Sequence, residues 1–182
     1  MNNLKLWYKR IIKIDSVYKM NIVNCLQEPK IESIAINICS KSIIEESKAI
    51  LYYIMALKLI TNQTPVICKA KKSLAQLKLR KGMLIGTKVT LRNQFLYNFL
   101  IQFIFLVLPN IKETKFYNLN KGSLSIGIKD LLVFPQLSRY YDKFPKNMTA
   151  IINFSTNTKD KNFSRFLFTS IQIPVKNKHL KF

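Results

Sequence analysis

The chain has 182 residues, which suffices for one domain with a buried core and, at most, tails; 48% hydrophobic content is ordinary for such a domain. Thirty Lys and Arg against nine Asp and Glu give a formal charge of +21. Self-repulsion on that scale argues against a free-standing compact chain and for a polyanionic partner, nucleic acid first and an anionic membrane second.

The N-terminus, MNNLKLWYKRIIKIDSVYK, lacks the uninterrupted apolar run of a secretory signal and reads as mature sequence. Its spacing of Leu4, Trp7, Ile11, Ile14 and Tyr18 predicts a helix from about Leu4 to Val23 with those residues inward. Pro29 ends any helix, and KIESIAINIC sets Ile34, Ile36 and Ile38 on one side of a strand. Ser42 and Glu45 fit a capping box that opens a helix to about Ile60, with Ile50, Ile54, Leu57 and Ile60 on the core face.

Pro65 then begins a strand, a basic loop and a return strand. The run from Phe95 to Leu108 is the most apolar in the chain. It stops at Pro109 and is broken by Asn98 and Gln102, and its fourteen residues fall short of the ~20 a membrane span needs. A buried core helix is expected there. Residues 110–122 read as an irregular loop, SLSIGI as a short strand, and VFPQL and Tyr140–Pro145 as connections. MTAIINFST reads as the last strand and Lys159–Ser170 as a closing helix. Helices alternating with separated strands predict an α+β fold, a largely antiparallel sheet with helices packed on one face. Residues 1–174 are expected to form a single domain, and 175–182 a basic C-terminal tail.

Little here suits catalysis. The one histidine, His179, is in the tail, and adjacent Glu45 and Glu46 point in different directions on a helix. The four glycines fit neither a P-loop nor a dinucleotide-binding pattern. Cys25, Cys39 and Cys68 are odd in number and widely spaced. That argues against a zinc site or a disulfide framework and for reduced thiols, buried or half-buried. No enzyme activity, catalytic residue, cofactor or metal is expected.

From Ser47 to Lys112 there is no Asp or Glu, while eleven basic residues occur. Lys69, Lys71 and Lys72 lead into the loop of the basic unit; Lys78, Arg80 and Lys81 lead out of it. Lys88, Thr90 and Arg92 fall at even spacing on the return strand and share a face, with long cations for phosphate and a hydroxyl between them. Ser73 and Gly82 permit tight turns. Aromatic residues do not interleave with the lysines, which favours binding through phosphate and shape, as with structured RNA, over base stacking.

PVICKAKKSLAQLKLRKGMLIGTKVTLR resembles the central signature of the large-subunit ribosomal protein L five family. There a proline-initiated strand leads to a [ST]-K-A-[RK]-K-S-[IV]-A loop and an R-x-G-x-P-I-G-x-K-V-T-L-R strand. LWYKR, PKIESIAINIC, LPNIK, SLSIGIKDLLVFPQL and MTAIINFSTNTKDKNFSRFLF resemble family segments in the same order, so the resemblance covers roughly residues 4–174. It implies a structural constituent of the central protuberance that binds ribosomal RNA, 5S rRNA where the particle has one. Carried over by position, Asn37, Gln63 and Thr90 would face that RNA, with Lys88 and Arg92 as phosphate partners. The loop with Lys69, Lys71, Lys72, Ser73, Lys78, Arg80 and Lys81 would contact P-site tRNA. A loop after the apolar helix would help bridge to the small-subunit head protein S thirteen.

The chain departs from the family pattern at several points. Leu84 replaces the proline before Ile-Gly, Lys81 an acid, and Cys39 and Ser40 glycines; the Arg-Asp-Phe-Arg-Gly segment is missing from 110–122. Asn98, Gln102 and Phe103 stand at usually charged positions of the apolar helix, which motivates a lineage-specific protein partner on that face. This erosion and an AT-rich composition suggest a mitochondrial version, in the mitochondrial ribosome of the matrix, before a plastid or AT-rich bacterial one. The partners expected are rRNA, P-site tRNA and neighbouring ribosomal proteins, without membrane insertion. Two readings from other classes are a peripheral membrane-associated basic protein and a free-standing RNA-binding factor.

Overall fold

The structure, a computed structural model, describes residues 3–111, 117, 119–120, 122–145 and 148–175, without the side chain of Cys25. The expected tail beyond Val175, with His179, lies outside the described residues. So does most of the 110–122 loop on which the intersubunit bridge was expected.

Six strands form one antiparallel sheet: β1 (Ile31–Cys39), β2 (Val66–Lys69), β3 (Leu84–Leu91), β4 (Leu119–Asn120), β5 (Ser123–Ile128) and β6 (Ala150–Thr156). Their order is β2-β3-β1-β6-β5-β4. The helices are α1 (Asn3–Trp7), α2 (Lys13–Met20), α3 (Lys41–Glu45), α4 (Ile50–Thr61), α5 (Asn93–Gln102), α6 (Pro135–Ser138) and α7 (Lys161–Ser170). The fold is α+β, as its alternation of periods predicts. Among the described residues no helix is long and apolar enough to cross a membrane. By contacts the chain divides into two compact units: Met1–Ile34, Arg92–Ile126 and Asn153–Phe182, then Ala35–Leu91 and Gly127–Ile152.

In the second unit α4 packs on β3 and α6. Thr87, Val89 and Leu91 of β3 are buried, as are Ile36 and Ile38 of β1 and Ile50, Tyr53, Leu57 and Ile60 of α4; Ile54 is only half-buried. The alternate residues Asn37, Cys39, Lys88 and Thr90 stand on the other, open face. The β2–β3 ladder pairs Val66 with Lys88 and Cys68 with Gly86, then skips a residue so that Lys69 meets Leu84. That bulge leaves Gly86 closely backed by β1. A Cβ there would collide with the Ile38 carbonyl oxygen and stand 3.2 Å from the Cys39 Cα.

In the first unit a row of rings joins α5 to β6 and α7. Phe99 stacks on Phe103 at 5.9 Å between centroids, Phe103 meets Phe154 at 5.6 Å, and Phe154 meets Phe168 edge-on at 6.1 Å. Offset and edge-on pairs of this kind add about 0.5–1.5 kcal/mol each beyond the area they bury. The segment ahead of β1 is tied from two sides. Tyr8 donates its hydroxyl to the Pro29 carbonyl at 2.8 Å, and Lys13 pairs with Glu28 at 2.9 Å. Asn157 donates to the Glu28 carbonyl at 2.7 Å and accepts from the Lys30 N–H at 2.9 Å. Burial first, and then the Glu28 carboxylate, raises the Tyr8 phenol well above the usual tyrosine range, so it stays a donor.

Three expectations need correction. Ile11, Ile14 and Tyr18 are exposed, and Ile12 and Ser16 are buried instead. A π-helical turn over Tyr8–Ile12 separates α1 from α2, and its extra residue rotates everything after it to a new face. The capping box does not form: the Ser42 hydroxyl bonds Tyr53 at 2.8 Å and Ser40 at 2.9 Å, and the helix breaks at Glu46 before α4 restarts. Phe103 is fully buried in the ring row, so it cannot belong to a partner-facing surface.

Gly86→Ala should cost about 1–3 kcal/mol through its collision with β1, read as a lower denaturation midpoint at unchanged slope. The Thr87 hydroxyl is buried without a hydrogen-bond partner among the described residues. Thr87→Val should therefore leave stability equal or raise it by about 1 kcal/mol in the same measurement.

Candidate nucleic-acid interface

The interface is built on the β2–β3 hairpin. Past Lys69 the strands separate, and the Ala70 N–H donates to the Met83 carbonyl at 2.8 Å while the Gly82 N–H returns to the Ala70 carbonyl at 3.0 Å. Gly82 has φ +91°, a conformation only glycine adopts at ease. Further out, Leu74 and Leu79 exchange both backbone bonds at 3.0 and 3.1 Å. A 3₁₀ turn over Ala75–Leu77 and a left-handed Lys78 close the tip. The Ser73 hydroxyl accepts from the Lys81 N–H at 3.1 Å. Ala70 and Leu79 are buried and anchor this miniature hairpin.

The cations of the loop face water. Lys69, Lys71, Lys72, Lys78, Arg80 and Lys81 are all exposed, as is Ser73. Among the described residues no ion pair engages any of these loop cations. The backbone is thus fixed while the side chains stay unpaired, the arrangement that attracts phosphate. Sequence reasoning missed Leu74 and Leu77, which are exposed beside the lysines at the tip. In the sequence they read as spacers, and only the local pairing reveals them as surface.

The second cluster is the open face of the strands. Lys88 and Thr90 are exposed, alternating with buried Val89, and Asn37 is half-buried on β1. β1 and β3 are neighbours in the sheet, so Asn37 shares the open face with Lys88 and Thr90. The structure therefore joins Asn37, Lys88 and Thr90. Arg92 is exposed at the residue ahead of α5. Gln63 is not on a strand. It sits half-buried on the turn between α4 and β2, its N–H held by the Thr61 hydroxyl at 3.3 Å after a left-handed Asn62. Of the cysteines, Cys68 is half-buried, whereas Cys39 is exposed at the end of β1 and not buried or half-buried as expected; the side chain of Cys25 is not among those described. Among the described residues no cluster of three or more His, Cys, Asp or Glu could hold a metal.

Two family models match the chain. The model for ribosomal protein L5 matches residues 24–80, and the model for the C-terminus of the same ribosomal family matches residues 84–175. Over 179 residues the chain is 44% identical to the large ribosomal subunit protein uL5m of Reclinomonas americana, covering 96% of this chain and 98% of that one. Over 179 residues it is 35% identical to the large ribosomal subunit protein uL5 of Desulforamulus reducens, covering 96% and 97%.

Binding of the purified chain to structured RNA should weaken linearly in log affinity against log salt. Changing Lys71, Lys72 and Arg80 together to Ala should reduce that slope by about 3, and Lys88→Ala by about 1. Fluorescence titration across salt concentrations checks both values.

Proposed function

The chain belongs to the ribosomal protein L5 family, and from that premise we propose that its two basic clusters serve two different RNAs of the translating ribosome. As a member of that family it is a structural constituent of the large ribosomal subunit and not an enzyme. Its finer role is our reading. The strand face, with Asn37, Lys88 and Thr90, followed by Arg92 and with Gln63 on the neighbouring turn, holds ribosomal RNA, 5S rRNA where present. The loop carrying Lys69, Lys71, Lys72, Ser73, Lys78, Arg80 and Lys81 reaches P-site tRNA. The family's contact with small-subunit head protein S thirteen is part of the same reading.

The observation that carries it is the separation of the clusters. The loop closes on its own backbone at Ala70, Gly82 and Met83, so its cations are presented apart from the strand face. A merely solubilising charge run would not need a folded tip with a buried Leu79. The likeness to a relative named uL5m favours the mitochondrial ribosome as its place of work; the bacterial uL5 relative aligns over the same length at lower identity.

Complementation in cells that depend on this chain separates the two roles. Lys71, Lys72 and Arg80 changed together to Ala should enter large subunits at normal stoichiometry in sucrose gradients and slow translation. Asn37→Ala with Thr90→Ala should instead lower the amount found in those subunits. Normal translation by the loop variant would sink the tRNA role, and normal incorporation of the strand variant would sink the rRNA role. Sequencing the RNA that co-purifies identifies the RNA on the strand face.

A further inference from the structure

The tip of the basic loop carries two side chains that its charge does not explain. Leu74 is 51% exposed and Leu77 59% exposed, with Lys71 and Lys72 before them and Lys78 and Arg80 after. Backbone bonds fix both. Leu74 exchanges its two bonds with buried Leu79. The Leu77 N–H donates to the Leu74 carbonyl at 3.2 Å, and the N–H of left-handed Lys78 to the Ala75 carbonyl at 3.0 Å. A turn closed in this way brings its end Cα atoms within about 7 Å of each other. The two leucines therefore form one apolar patch at the closed end of the hairpin.

A single exposed leucine is ordinary, but two together on a fixed tip make a surface. They gain nothing from phosphate, which the cations bind and which is alike along any RNA. They gain only where apolar surface of a partner leaves water with them. Charge sets the class of that partner. No carboxylate occurs between Ser47 and Lys112, and the exposed cations around the leucines enter no ion pair among the described residues, so a polyanion meets the tip. The apolar surface of an RNA is the flat face of its bases. Within a helix those faces cover one another; they are open where a base is turned out or where a stack ends. Aliphatic side chains cover such faces as aromatic ones do. Residues 69–82 hold no aromatic ring, so the contact is aliphatic cover and not a π stack.

We propose that Leu74 and Leu77 are a base-face contact, which makes the loop selective for RNA that presents an unstacked or stack-ending base. The lysines around them bind any RNA; the leucines choose. This selectivity presupposes the reading that the loop meets RNA, and it names the feature of that RNA the loop takes.

The test titrates the full-length chain with two RNA hairpins of equal length. In one, a fluorescent purine analogue ends the stem and leaves an open base-pair face; in the other, a second loop closes that end. The unaltered chain should bind the open-ended RNA about tenfold more tightly and change the emission of the purine. Leu74→Ser with Leu77→Ser should lose both effects and keep the salt slope. Leu74→Met with Leu77→Met should keep both, since methionine restores apolar cover. Leu77→Ser alone, which leaves the Leu74–Leu79 pairing untouched, should lose part of the preference and guards against a misfolded tip. Equal binding of the two RNAs by the unaltered chain would overturn the assignment. So would a serine double variant that keeps the preference, or one with a smaller salt slope, because the leucines would then only position the cations. A serine double variant that binds both RNAs as the unaltered chain does, yet fails to join large subunits, would give the tip to an apolar pocket on a protein instead. Slowed translation by the variant lacking Lys71, Lys72 and Arg80, without any preference for the open end, would sink the base-face contact and leave the tRNA role standing.

Discussion

Close backbone approach at Gly86 is the constraint on which the second unit turns. The bulge in the β2–β3 ladder directs that residue at β1, where the Ile38 carbonyl leaves no room for a methyl group. With glycine there, β1 sits close enough for Asn37 to share a surface with Lys88 and Thr90. The same contact aligns β3 so that Val89 and Leu91 face the core while the lysine and threonine between and before them do not. One absent Cβ therefore sets both the packing below the sheet and the chemistry above it.

Charge is distributed in a way that matches this division of labour. The ion pairs Lys13–Glu28 and Lys19–Asp15 are in the first unit, where Glu28 also helps hold the segment ahead of β1. The loop of the second unit has no such compensation. Its cations repel one another and are kept in place by backbone hydrogen bonds, which salt does not screen as it screens exposed charges. The fold thus tolerates the repulsion locally, and the electrostatic gain is left for a polyanion to supply.

What the sequence made legible follows from which signals are local. The alternation of Ile34, Ile36 and Ile38 has period two, and a strand cannot bury it in more than one way. The apolar run ending at Leu108 and the paired runs around the basic loop were equally plain. The first helix was misread because a π turn leaves no mark on periodicity until after it has shifted the face, here from Ile11 to Ile12. The capping box failed for a tertiary reason, since Tyr53 competes for the Ser42 hydroxyl. The exposed leucines of the tip, and the close backbone approach at Gly86, depend on pairings that the sequence does not display.

The folded tip has a consequence for kinetics. A disordered basic arm must be ordered as it binds, and that entropy is charged against every encounter. Here the Ala70, Leu74 and Gly82 bonds have already removed most backbone freedom. What remains to be fixed is the far ends of the lysine and arginine chains. Contact can then be both quick to form and quick to break, which suits a surface that meets a succession of partners rather than keeping one.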